Sequence, residues 1–141
     1  MGRSNLKLLI FPLLVLAAVA AAQVRNNSGR IKETLPAGIN LNNAVLVEIR
    51  DNAGAVVLSG SFSEFKAILT SKESGSKSKG IAEIEIEKEG ASLEQEIEVE
   101  VENLPALTNF KLVVDGNEVA TFSTSKAGKR ALKYSRKDPA K

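Results

Sequence analysis

Residues 95–102 alternate without a break: Ile97, Val99 and Val101 point one way, and Glu96, Glu98, Glu100 and Glu102 point the other. A period of two is the period of a strand, because successive side chains leave a pleated backbone on opposite faces. Glutamate favours helices, but on a helix these three apolar residues would be spread around the cylinder and no apolar stripe would form. Periodicity therefore outweighs propensity. The stretch 93–124 reads as three strands with their turns. Leu104-Pro105 ends the first, since proline cannot donate to a ladder. Residues 110–114 form the second and 118–124 the third, joined by Asp115-Gly116-Asn117, whose residues tolerate positive φ. A hairpin closed on Asp115-Gly116 pairs Leu112 with Val119; one closed on Gly116-Asn117 pairs Val114 with Val119. The two differ by an even step, so both keep the apolar face, and the sequence does not choose between them.

The same grammar recurs upstream. Residues 45–50 and 56–62 flank the turn Asp51-Asn52-Ala53-Gly54 and form a β-hairpin. Residues 63–69 carry both a strand alternation (Phe65, Ala67, Leu69) and a helical spacing (Phe65, Ile68, Leu69); the β surroundings favour a strand. Residues 71–79 are a solvated loop. Residues 81–88 alternate Ala82, Ile84 and Ile86 against Glu83, Glu85 and Glu87. Glu89-Gly90-Ala91-Ser92 then turns the chain. A last strand spans 129–135, with Leu132 and Tyr134 inward. The expected organisation is a leader over 1–22, an N-terminal arm over 23–43 with one short edge strand near Ile31, a β domain over 44–135, and a frayed basic tail over 136–141. The expected inward set is Val45, Val47, Ile49, Val56, Leu58, Phe62, Ile84, Ile86, Ile97, Val99, Val101, Phe110, Leu112, Val114, Val119, Leu132 and Tyr134, with Val57 and Val113 partly buried.

The leader has Arg3 and Lys7 before an apolar run, then Ala20-Ala21-Ala22 ahead of Gln23, the pattern of a Sec-type signal peptide. The apolar run is shorter than the roughly 20 residues of a membrane span and contains Pro12. The expectation is export, to the periplasm or the medium, with no stable span after cleavage. No cysteine stands at the cleavage point to take a lipid anchor. The leader removes two of 19 basic residues, leaving 17 against 17 acidic ones. A neutral mature chain argues against nucleic acid as a partner. Asn26-Asn27-Ser28 has the form of a glycosylation sequon, a motif short enough to arise by chance.

The chain has no Cys and no His. That removes disulfides, thiolate metal sites, cysteine nucleophiles and the commonest general base. There is no Gly-x-Ser-x-Gly elbow. Regularly spaced strand glutamates look like a solvated face rather than a glycosidase pair. No cofactor is expected. What stands out is a glutamate ladder, nine glutamates and one lysine between residues 81 and 102. If the two strands pair as a hairpin, a register such as Glu85 opposite Glu96 sets like charges face to face. Three arrangements relieve this: the strands lie in different sheets, a basic strand such as 129–135 with Lys129 and Lys133 lies alongside, or a divalent cation binds. The cation reading uses Glu83, Glu85, Glu87, Glu96, Glu98 and Glu100, and oxygen ligands point to calcium or magnesium. The basic run 126–141 suits an anionic polymer or membrane surface, or else balances the glutamates within the fold.

Leu104-Pro105-Ala106-Leu107-Thr108-Asn109-Phe110, followed by Lys111-Leu112-Val113-Val114, resembles the Leu-x-Pro-x-Thr-x-Tyr corner of fibronectin type III domains, with Phe110 in the tyrosine place. Residues 44–135, through Val114-Asp115-Gly116, Val119-Ala120-Thr121-Phe122 and the later Gly128 and Leu132, are similar to small secreted bacterial proteins of unknown function. These resemblances imply a secreted β-sandwich and no particular activity. The sequence thus predicts a single antiparallel, immunoglobulin-like β-sandwich of seven or eight strands. The expected function is non-catalytic adhesion or assembly with a protein or extracellular polymer. Calcium binding on the glutamate face is the alternative, and carbohydrate chemistry the weakest reading.

Overall fold

In the computed structural model, which describes residues 30–139, every regular element is a strand. The strands are β1 (Arg30–Thr34), β2 (Leu46–Asp51), β3 (Val56–Ser61), β4 (Lys66–Thr70), β5 (Lys79–Glu89), β6 (Ser92–Glu102), β7 (Asn109–Val114), β8 (Asn117–Ser123) and β9 (Arg130–Pro139). The leader, its cleavage point and the sequon lie outside the described residues. The chain divides at Ile31, and the described residues from Lys32 onward form one compact unit. The strands make one curled sheet of order β1-β9-β6-β5-β4-β3-β2-β7-β8. The protein is thus all-β, as the alternation predicts.

The curl buries one face. Val47, Ile49, Leu58, Ala67, Leu69, Ala82, Ile84, Ile97, Val99, Val101, Phe110, Leu112, Val114, Leu132 and Tyr134 are buried along successive strands. Phe110 and Phe122 stand on one rung with ring centroids 6.0 Å apart. Most of the expected inward set is here. Val45 is the clear exception, 63% exposed. It precedes β2, and its backbone is tied outward, its N–H to Asp115 and its carbonyl to Phe62. Val56, Phe62 and Ile86 are only half-buried. Residues 66–70 form a strand with Ala67 and Leu69 inward, leaving Phe65 and Ile68 exposed.

Two bulges explain the remaining departures. At the β7–β8 hairpin Val114 pairs with Asn117 across a turn of Asp115 and Gly116, both at positive φ (49° and 83°). That is the two-residue turn whose twist matches a hairpin. The register then slips: Val113 pairs with Glu118, but Leu112 pairs with Ala120. Val119 is the extra residue, so neither simple register persists. A similar slip separates Ile49–Leu58 from Arg50–Val56 in the β2–β3 hairpin.

The arm and the tail belong to the fold more than the pattern suggests. Leu35, Ile39 and Leu41 are buried. Strand β9 runs on through Arg136, Lys137, Asp138 and Pro139, paired with Gln95, Glu94, Leu93 and Ser92. The corner after β6 is tied by Thr124, a buried threonine that leaves β8. Its hydroxyl donates to the Pro105 carbonyl at 2.6 Å and accepts from the Thr108 N–H at 3.0 Å. A hydroxyl thus secures the corner although Phe110 has none.

Candidate functional site: a carboxylate and lysine ladder

Strands β5 and β6 form a hairpin closed at Glu89–Ser92, so their alternating glutamates meet in register. Glu83 faces Glu98, Glu85 faces Glu96, and Glu87 faces Glu94. The separate-sheet arrangement is therefore excluded: these strands pair directly. Each like-charge rung opposes the hairpin by up to about 1 kcal/mol.

The relief comes from both flanking strands. β9 lies beside β6 and sets Lys133 opposite Glu98. The Lys133 ammonium stands 3.1 Å from a Glu96 oxygen and 3.3 Å from one of Glu98. On the other side, Lys66 of β4 reaches Glu83 at 3.5 Å. Lys79 reaches Glu102 at 3.5 Å, and Lys137 reaches Glu89 at 3.0 Å. A basic strand beside the glutamates is what the structure contains. Lys133 carries that role, while Lys129 lies in the preceding loop. Exposed pairs contribute little individually. Lys133 differs, because Glu96 keeps only 16% of its side-chain exposure and each of these glutamates already faces another.

The Lys133 pKa is raised by its hydrogen bonds to Glu96 and then Glu98, both of which favour the ammonium. A group whose folded value is raised adds stability that is complete below the ordinary lysine value of 10.5 and vanishes as the pH climbs through the folded value. Lys133→Met is therefore expected to lower stability by about 1 kcal/mol near pH 8. The gap from the native chain should close as the pH climbs above the ordinary lysine value of 10.5, read by urea unfolding across that range. A gap that persists at the alkaline end would assign the loss to packing rather than charge.

All six glutamates of the cation reading stand on this hairpin, Glu83, Glu85 and Glu87 on β5 and Glu96, Glu98 and Glu100 on β6. They form a flat row, and among the described residues no three acidic side chains converge on an ion position. Part of the basic run is likewise engaged, while Lys126 and Lys129 have no ion-pair partner among the described residues. Arg130 donates to the Ser123 carbonyl at 2.6 Å, and burial lowers its pKa. Arg136 binds Asp138 and the carbonyls of Pro36 and Ile39.

Pattern reading passed over one polar cluster at the β6–β9 end. Gln95 is buried in phase with Ile97 and Val99. Its Oε1 accepts from the Leu41 N–H at 2.7 Å, and its Nε2 donates to Asp138 at 3.4 Å. Its position on an inward phase, one step before the apolar run, was the available signal. No helix among the described residues is long and apolar enough to cross a membrane. The arrangement defines an all-β protein whose glutamate face is partly neutralised by Lys66, Lys79, Lys133 and Lys137. Comparison of the chain with family models, curated proteins and solved structures finds no match.

Proposed function

We propose that the chain is a non-catalytic exported module, secreted or periplasmic, that binds or assembles through the open edge of its sheet. The observation that carries this reading is the asymmetry of the two edges among the described residues. β1 is short and bears Arg30, Lys32 and Glu33. β8 is seven residues long and carries Glu118 as its one charge, with no lysine or proline. Unguarded edges offer free backbone groups to an added strand. On the outer face of β5 and β6, by contrast, Glu83, Glu89, Glu96, Glu98 and Glu102 are already held by lysines, which favours the edge over the ladder.

In this reading the two flanks of the curled sheet lie face to face as an immunoglobulin-like sandwich. The thin seam supports it: β3 and β4 share the single rung Ser59–Thr70, and both flanks bury one apolar face. The test is analytical ultracentrifugation of the chain from micromolar to millimolar concentration. Reversible association is expected, and Thr121→Glu should abolish it by placing a charge on the edge. Lys111 stands across that rung, so the fold is not burdened. A chain that stays monomeric throughout, or association indifferent to this change, would remove the edge reading.

A further inference from the structure

Three loops meet at the end of the sheet where β5 begins and β6 ends. Asn103 donates to the Lys77 carbonyl at 3.1 Å, and Ser78 donates to the Asn103 carbonyl at 2.6 Å. Leu104 N–H donates to the Gly128 carbonyl at 3.1 Å, and Leu107 N–H to the Ser125 carbonyl at 3.2 Å. The loops 71–78, 103–108 and 125–129 are therefore one tied surface. It presents Lys72, Lys77, Lys126 and Lys129, all exposed and with no ion-pair partner among the described residues. The acidic residues of these loops and their flanking rung are Glu73 and Glu102, and Glu102 is already held by Lys79. This end is net positive in a chain whose basic residues are otherwise largely matched.

The same surface carries Leu107, 69% exposed and at φ +52°. A side chain larger than glycine adopts that conformation at a cost, and asparagine or glycine is the usual choice. Here the strained position holds a leucine in water. An exposed leucine in that conformation, on a surface that also presents four unpaired lysines, suits a partner that is both apolar and anionic.

We infer that this loop end docks on an anionic lipid bilayer, with Leu107 entering the acyl boundary and Lys72, Lys77, Lys126 and Lys129 meeting the headgroups. Shallow insertion and nearby lysines are the two independent contributions such peripheral contacts need. A polyanion without an apolar layer would have no use for Leu107. The surface does not involve β8 and stands whatever happens at that edge.

The chain contains no tryptophan and no cysteine, so a single probe reports this surface alone. Leu107→Trp in the full chain should shift its emission to the blue and resist acrylamide quenching on adding phosphatidylglycerol-rich vesicles, but not pure phosphatidylcholine vesicles. Adding Lys126→Gln and Lys129→Gln should raise the lipid needed by about 30-fold, roughly fivefold for each lysine. Ala106→Cys carrying a polarity-sensitive dye repeats the reading if the first variant folds poorly. Unchanged emission from both probes with anionic vesicles would overturn the proposal, even if the chain binds them through its leader. Binding to heparin with no spectral response to vesicles would also overturn it, in favour of a polymer.

Discussion

Gly128→Ala is expected to destabilise the protein by about 4 kcal/mol and to lower Tm by roughly 15 °C. Gly128 is buried at φ +72°, where its N–H donates to the Ser125 carbonyl and its carbonyl accepts from Leu104. A Cβ there would lie 2.1 Å from the Leu104 carbonyl oxygen and 3.2 Å from two further backbone atoms of Leu104. These are main-chain atoms in a buried corner, so no side chain can swing aside. The backbone of 103–108 or the turn 125–129 must shift, and the Thr124 hydroxyl already holds Pro105 and Thr108 of the first. Gly54→Ala is the control. It shares a positive φ, +89°, but nothing lies within 4 Å. Its cost should be confined to the backbone, about 1 kcal/mol. Comparable losses at both sites, by urea unfolding at one pH, would show that the corner is soft and the close approach unimportant.

The strands were readable because Ile, Val and Glu alternate where one face meets the core and the other meets water. The glutamate ladder was readable for the same reason, down to the Glu85–Glu96 rung. What escaped was set by distant partners. Periodicity counts residues along one strand, so it cannot register the extra residue at Val119, and a bulge is a property of two strands. Arg136 and Lys137 look like tail because their composition is polar. They are strand because Gln95 and Glu94 lie opposite. Val45 looks inward by phase, but Asp115 reaches it from 70 residues away and fixes its backbone at the surface. Leu107 drew no notice as an apolar residue in a loop, since only the φ and the exposure make it unusual.

Gln95→Leu should cost about 2 to 3 kcal/mol despite adding apolar volume to an apolar face. Leucine preserves the size of the side chain but removes both polar atoms. The buried Leu41 N–H then has no acceptor, and Asp138 loses one of its donors. A donor left unmet in the interior costs the full desolvation of that group, far more than the net worth of an ordinary hydrogen bond. The effect should be local before it is global. Residues 35–41 are held by three apolar side chains, by Leu35 N–H on the Ser135 carbonyl, and by Arg136 on the carbonyls of Pro36 and Ile39. Loss of Gln95 removes the one bond that closes the far end of this segment. Amide hydrogen exchange should accelerate more at Leu41 than at Leu112 and Val99, which follow only the global change. Equal acceleration at all three would mean that the segment is no separate unit of opening. Gln95→Glu distinguishes acceptor from donor: it keeps an oxygen for Leu41 but sets a carboxylate beside Asp138. Its loss should therefore exceed that of Gln95→Leu at neutral pH and shrink as the carboxylates protonate in acid.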